Sequence, residues 1–210
     1  MDALQELKKE IQKINQKTNQ GILIVIGSKN FRHGTGRSLV AKTLAEKLGT
    51  EHFSTGDEFR KKAKKKNMTI NEYAKYVEKH PRIDQEFDRQ NQEKIKEKLQ
   101  NKKNIVADSN LLAHFMKADV SIAIDTDDEI RAKRVQQKHR EGDAKYANTQ
   151  EALKELKERD KTDKERYERI YGVNTEKLNH QYDIQVKNNG PIKKTIQEIL
   201  ERTYKKVKTK

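Results

Sequence analysis

Residues 22–49 read I-L-I-V-I-G-S-K-N-F-R-H-G-T-G-R-S-L-V-A-K-T-L-A-E-K-L-G. Ile22 to Ile26, five consecutive branched or long apolar residues, stand between Gly21 and Gly27. A run of that length suits a strand buried on both faces, as in the middle of a parallel sheet. The spacing that follows predicts a helix over residues 37–48, stopped at Gly49. The turn between them has the parts of a phosphate-binding loop. Gly27, Gly34 and Gly36 supply permissive backbone, so that the segment through Thr35, Ser38 and Leu39 can aim amides at an anion. A helix N-terminus adds partial positive charge, Arg37 supplies a cation, and Ser38 supplies a hydroxyl for magnesium. Eight residues separate Gly27 from Gly36, where the pattern G-x-x-x-x-G-K-[ST] has four, and arginine replaces the lysine. Counting back from Gly36, Phe31 falls at the first-glycine position. Either the turn carries four extra residues or it lacks the N-terminal half of the cradle. A planar guanidinium prefers bidentate partners where an ammonium acts as a point charge, so the exchange spares binding more than turnover.

Outward from this stretch, strand and helix alternate. Short β-branched runs predict strands at Glu51–Phe53, Asn104–Asp108, Val120–Asp125 and Tyr182–Val186. Helices are expected from about Asp57, at Ile70–Glu78 behind a Thr69/Glu72 capping box, and at 82–100 after Pro81. More are expected at about 127–140 and 149–170, and from Pro191 to about 204. Leu4, Leu7, Ile11 and Ile14 recur at helical spacing, so residues 2–18 form an N-terminal helix that leans on the domain. The expectation is an α/β fold, an open parallel five-stranded sheet with helices on both faces and its ligands outside the carboxyl ends of the strands.

Composition narrows the class. The 210 residues suit one domain, taken as 21–210 behind a helical extension at 1–20. No cysteine is present, which excludes disulfides and thiolate-bound metal. The first residues are amphipathic rather than a signal peptide, and no apolar run reaches membrane-spanning length, so the expectation is a cytoplasmic monomer without a membrane partner. A net charge of +14 fits a polyanionic substrate, an RNA surface or a lysine-rich composition alike.

The stretch S-T-G-D-E-F-R, Ser54 to Arg60, follows the second strand and is similar to the acceptor-nucleotide segment of nucleoside monophosphate kinases. Three further stretches resemble cytidylate kinases of the archaeal type: Asn67–Gln90, with Asp84, Asp88 and Arg89; the R-D-x-x-D-x-x-R element at Arg159–Arg166; and Arg169–Ile184. The likeness runs from about Gly21 to the end of the chain. It implies a P-loop kinase-like fold and transfer of the γ-phosphate of ATP to CMP or dCMP with Mg2+. It implies an acceptor region at about 56–100 and a lid at about 131–166, with His139–Asn148 as a mobile connection. The acceptor site it implies comprises Ser54, Asp57, Arg60, Asp84, Asp88, Arg89, Asp163 and Arg166. Arg131 and Arg134 match lid arginines that neutralise donor phosphates, and Arg37, Arg131 and Arg159 carry the catalytic charge. Asp108 and Ser38 would hold the metal.

Spacing alone puts Arg159, Asp163 and Arg166 on one helix face, where an intrahelical salt-bridge ladder is the competing account. After the third strand the family shows acid, glycine and arginine; here Asp108, Ser109 and Asn110 stand instead, which removes a charged contact. Lys29, Arg32 and His33 in the enlarged turn are the cations placed to compensate. The alternative reading is a catalytically degenerate kinase-fold module that binds RNA or a ribonucleoprotein through its basic surface.

Overall fold

The structure, a computed structural model, describes residues 2–137 and 146–209. Five strands, β1 (Leu23–Ser28), β2 (Glu51–Ser54), β3 (Ile105–Asp108), β4 (Val120–Asp125) and β5 (Ile184–Lys187), form one sheet in the order β2-β3-β1-β4-β5. All neighbours run parallel. The helices are α1 (Ala3–Thr18), α2 (Arg37–Leu48), α3 (Thr55–Lys65), α4 (Ile70–Glu78) and α5 (Pro81–Gln100), then α6 (Leu112–Phe115), α7 (Asp128–Gln137), α8 (Thr149–Tyr171), α9 (Thr175–Asn179) and α10 (Ile192–Lys208).

The central strand alternates between two cores. Ile22, Ile24 and Ile26 pack with Val40, Leu44 and Leu48 of α2 and Ile196, Ile199 and Leu200 of α10. Leu23 and Val25 face the other way, onto Phe53, Ile95, Ile105 and Leu112. Helices therefore cover both sides of β1, which is why its sequence shows no polar alternation. Leu7 and Ile11 of α1 are buried in the first of these cores. Their burial contributes roughly 1.5–3 kcal/mol each, enough to fix the N-terminal helix against α10 and α2.

Several expected boundaries coincide with the observed ones, α2, α4 and β4 among them. The Thr69/Glu72 capping box is formed, with both the side-chain and the backbone hydrogen bonds present. Pro81 sits inside the first turn of α5 rather than before it, because its missing N–H is an orphan there in any case. Two short helices, α6 and α9, and a 3-10 turn at Lys29–Phe31 are additional to the sequence reading. The connection expected at His139–Asn148 lies, up to residue 145, outside the described residues.

β1 lies at the middle of the sheet, with β3 on one side and β4 on the other. The turn that leaves its carboxyl end thus opens at the topological switch point, where open α/β sheets hold their ligands. Ser28, Ser54, Asp108 and Asp125 end β1, β2, β3 and β4 along that same edge.

Candidate active site

The enlarged turn contains two unlike halves. In the first, Lys29–Phe31 form a 3-10 turn in which Asn30 and Phe31 adopt positive φ, 53° and 58°. That conformation costs a non-glycine residue about 1–2 kcal/mol. Burial of the Phe31 ring, edge-on to Tyr167 with centroids 5.5 Å apart, offsets it. Side chains from elsewhere occupy the amides of this half. Ser28 N–H donates to Asn110 Oδ1 (2.9 Å), Asn30 N–H to Asn179 Oδ1 (2.9 Å) and His33 N–H to Asp160 Oδ1 (2.7 Å). The four additional residues therefore replace the N-terminal part of the cradle with an anchored turn.

The second half keeps the geometry of an anion site. Gly34 and Gly36 take φ of 73° and 81°, values open to glycine at little cost. A Cβ on Gly36 would lie 2.7 Å from Asn188 Nδ2, so the close approach excludes any side chain. The Thr35 carbonyl accepts from Thr126 Oγ1 (3.0 Å), Asn188 Nδ2 (2.9 Å) and Arg134 Nη1 (3.3 Å), and its hydroxyl meets Ser28 Oγ at 2.9 Å. With its carbonyl turned inward, the peptide run into α2 presents its N–H groups outward. Among the described residues no acceptor takes the amides of Gly34 through Leu39. These donors cap the start of a 12-residue helix, where its partial positive charge is concentrated.

Arg37 bridges this half to β3. Its Nε donates to Asp108 and its Nη1 to Asn110 Oδ1. Asp108 is only 1% exposed, so the guanidinium neutralises a carboxylate that burial would otherwise penalise heavily. The fork geometry explains why arginine suits this position: one planar group satisfies an acid and an amide together. Asn110 also donates to the Phe31 carbonyl (3.3 Å). It serves as the strut between the turn and Arg37, a neutral role fitted to the turn this chain carries. Asp108 Oδ2 faces the Ser54 hydroxyl at 3.5 Å, and Ser38 lies on the first turn of α2. Hydroxyl and carboxylate oxygens form a hard donor set of the kind magnesium takes, supplemented by water and substrate phosphate.

The cations expected to compensate are committed elsewhere. Lys29 and Arg32 reach Asp125 at 3.4 Å and 3.2 Å, and Arg32 also pairs with Asp128. Arg131 is paired as well. It is 1% exposed, with Nε on the His33 carbonyl (2.6 Å), Nη1 on Asp128 (2.8 Å) and Nη2 on Asp160. Desolvation of a guanidinium demands this full set of acceptors. Arg134 is half-buried over Gly36, and burial lowers its pKa.

The residues that the resemblance assigns to the acceptor lie on or next to α3, α5 and α8. The Ser54 hydroxyl caps α3 by accepting from Asp57 N–H (3.3 Å), and Arg60 pairs with the exposed Asp57 (3.0 Å). Asp84, Asp88 and Asn91 fall at i, i+4 and i+7, so one face of α5 carries all three. Opposite them, Arg166 of α8 lies 3.5 Å from Asp84 and 3.2 Å from Asp163, stacked 4.6 Å over the Tyr167 ring. Tyr171 donates to Asp88 at 2.5 Å. Burial raises the Asp84 carboxyl and pushes Asp88 up to about 7, even against the Tyr171 hydrogen bond. Three buried polar atoms here, Asp84 Oδ2, Asn91 Nδ2 and Arg166 Nε, have no hydrogen-bond partner among the described residues.

Arg89 does not join the cluster. It is 58% exposed and pairs with Glu86 and Glu93 on the solvent face of α5, because one position beyond Asp88 is 100° away around a helix. On α8 the expected face pairs unevenly. Asp163 pairs with Arg166 and with His33 Nε2 (2.7 Å), while Arg159 is exposed and makes no ion pair among the described residues. Arg159 still acts at short range, lowering the pKa of both His33 and Asp163. His33 was expected only as a compensating cation, and Asp160 was not among the expected site residues. The contacts of His33 with Asp160 and Asp163 span 127 and 130 positions, beyond any local spacing signal.

Residues 32–154 match the family described as an AAA domain. The chain is 36% identical over 146 residues to a cytidylate kinase of Pyrococcus horikoshii, covering 69% of this chain and 70% of that one. It is 38% identical over 141 residues to that of Archaeoglobus fulgidus, covering 67% and 73%. Among solved structures, a shikimate kinase from Aquifex aeolicus superposes with a TM-score of 0.54 at 18% identity over 86% of this chain and 95% of that one. TT1252 from Thermus thermophilus gives 0.55 at 17% over 90% and 97%. Those two likenesses concern the fold, whereas the identity to the archaeal kinases concerns the family: the chain belongs to the cytidylate kinase family, on a P-loop kinase fold.

Proposed function

We propose that this chain transfers the γ-phosphate of ATP to CMP or dCMP. The observation that carries the reading is the run of unpartnered amides from Gly34 to Leu39 at the start of α2, opening beside buried Asp108 at the switch point of the sheet. Those amides and Arg37 would hold the donor's phosphates, with Arg134 nearby. Ser54, Arg60, Asp84, Asp88, Asp163 and Arg166 would hold the acceptor, and Asn91 adds an amide on the same face. Asp57 keeps Arg60 oriented. A pyrimidine edge with both donors and acceptors suits the mixed set of carboxylate, amide and guanidinium groups.

In the transfer, an acceptor phosphate oxygen forms a bond to the γ-phosphorus as the bond from phosphorus to the β–γ bridging oxygen breaks. The acceptor oxygen is already anionic, so no base is needed. The protein contributes alignment and charge. Arg37 stands at the donor, and exposed Arg159 is free to swing between the two phosphates. Magnesium, held through Ser38 and Asp108, supplies charge neutralisation on the donor phosphates when bound. Residues 1–20 serve as a packed extension of the kinase unit formed by 21–210, in a cytoplasmic setting.

The test mixes the purified chain, ATP and magnesium with each nucleoside monophosphate and follows ADP. Turnover with CMP and dCMP above AMP, GMP and UMP is expected. A folded sample that yields ADP with none of them would overturn the proposal.

A further inference from the structure

Within the enlarged turn, His33 is held at three polar positions. The His33 amide donates to Asp160 (2.7 Å), its carbonyl accepts from Arg131 (2.6 Å), and its ring Nε2 meets Asp163 Oδ2 at 2.7 Å. Asp160 and Asp163 lie one turn apart on α8, and Arg131 comes from α7. The same Asp163 carboxylate passes on to Arg166, which reaches Asp84 on α5. A hydrogen bond from His33 to Asp163, followed by ion pairs from Asp163 to Arg166 and from Arg166 to Asp84, thus links the turn at β1, through α8, to the α5 face that carries Asp84.

We propose that His33 is a positioning residue for phosphoryl transfer: its imidazole fixes the Asp163 carboxylate, and Arg166 beyond it, relative to the turn that receives the donor. The inference rests on the phosphotransferase reading above. Orientation matters here because a carboxylate that drifts by an ångström withdraws Arg166 from the acceptor with it. The groups facing His33 are Asp160, Asp163 and Arg159 of α8 and Arg131 of α7. Burial and Arg159 hold its imidazole below the ordinary value, against the two carboxylates.

Two measurements on the full chain test this. In an NMR titration, Asp163→Asn should lower the His33 midpoint, since the carboxylate favours the imidazolium; an unmoved midpoint would remove the contact and the proposal with it. In steady-state kinetics, His33→Ala should raise the KM for CMP by about ten- to a hundredfold while the KM for ATP stays within about twofold. His33→Gln, whose amide nitrogen reaches as far as Nε2, should recover most of the loss. Equal changes in both KM values, or a fall in activity that merely follows a lowered Tm without recovery in His33→Gln, would overturn the role while leaving the kinase reading intact. Wild-type protein that turns over no monophosphate would remove both, and the titration would still report whether the contact exists.

Discussion

The donor and acceptor sides of the cleft satisfy their charges in opposite ways. On the donor side the ionic groups beneath the turn are paired within the chain: Arg37 with Asp108, Arg32 with Asp125 and Asp128, Arg131 with Asp128 and Asp160. Beside the Arg37 and Arg134 guanidinium groups, what remains open there is backbone, the amides of Gly34 to Leu39. On the acceptor side, buried side-chain atoms of Asp84, Asn91 and Arg166 lack hydrogen-bond partners among the described residues, and Asp88 is forced toward its neutral form. A surface built from amides at a helix end recognises charge and little else, and rigid internal pairing can set it in advance. A surface built from buried donors and acceptors recognises shape and hydrogen-bonding pattern, and its unmet polar atoms favour the ligand that completes them.

The sharpest way to break this contrast is Arg37→Ala. It removes a cation from the donor side and leaves Asp108 buried without a counter-charge, so turnover should fall by about 10²–10³-fold and stability by about 3 kcal/mol, read by ADP production and by urea unfolding. Arg37→Lys should retain far more of both, since the charge persists while only the fork to Asn110 is lost. Asp160→Asn addresses the pairing beneath the turn. Arg131 would keep Asp128 but lose its second carboxylate, and unfolding should show a loss of about 2 kcal/mol.

The acceptor side should reveal itself through pH. The Asp88 carboxyl titrates at about 7 in the folded chain, above its unfolded value of about 3.9. The native state therefore holds a proton that the unfolded state releases. That contribution to stability is fully present below pH about 4 and is lost as pH rises to about 7. Urea midpoints measured across this window should decline, and Asp88→Asn should flatten the decline. The smallest effect belongs to Arg89→Ala: neither Tm nor the KM for CMP should change measurably, because its partners Glu86 and Glu93 are solvent-exposed. A raised KM would bring α5's outer face into the site.

How far residues alone disclosed the site depended on how local each interaction is. Gly34, Gly36 and Ser38 were readable because a strand, a glycine turn and a helix start are consecutive in the chain. Asp84 and Asp88 came from the family resemblance of residues 67–90, and their shared face appeared once α5 was in place. The solvent-facing position of Arg89 was not legible because neighbours in sequence diverge around a helix, nor was the burial of Arg131, which depends on α8. His33 was read only as a compensating cation of the turn, since nothing near it in the sequence marks a residue clasped by Asp160 and Asp163.

By itself the sequence determined the order of strands and helices, the central buried strand, the capping of α4 and the family likeness. Each depends on contacts within a few residues or on patterns read directly along the chain. Only the tertiary structure decided which charges are free to meet a ligand. Pairing between Arg37 and Asp108, or between Arg131 and Asp160, joins segments 71 and 29 positions apart. Whether a guanidinium faces solvent, substrate or a buried carboxylate is fixed by desolvation, a property of the packed surroundings that no local pattern encodes.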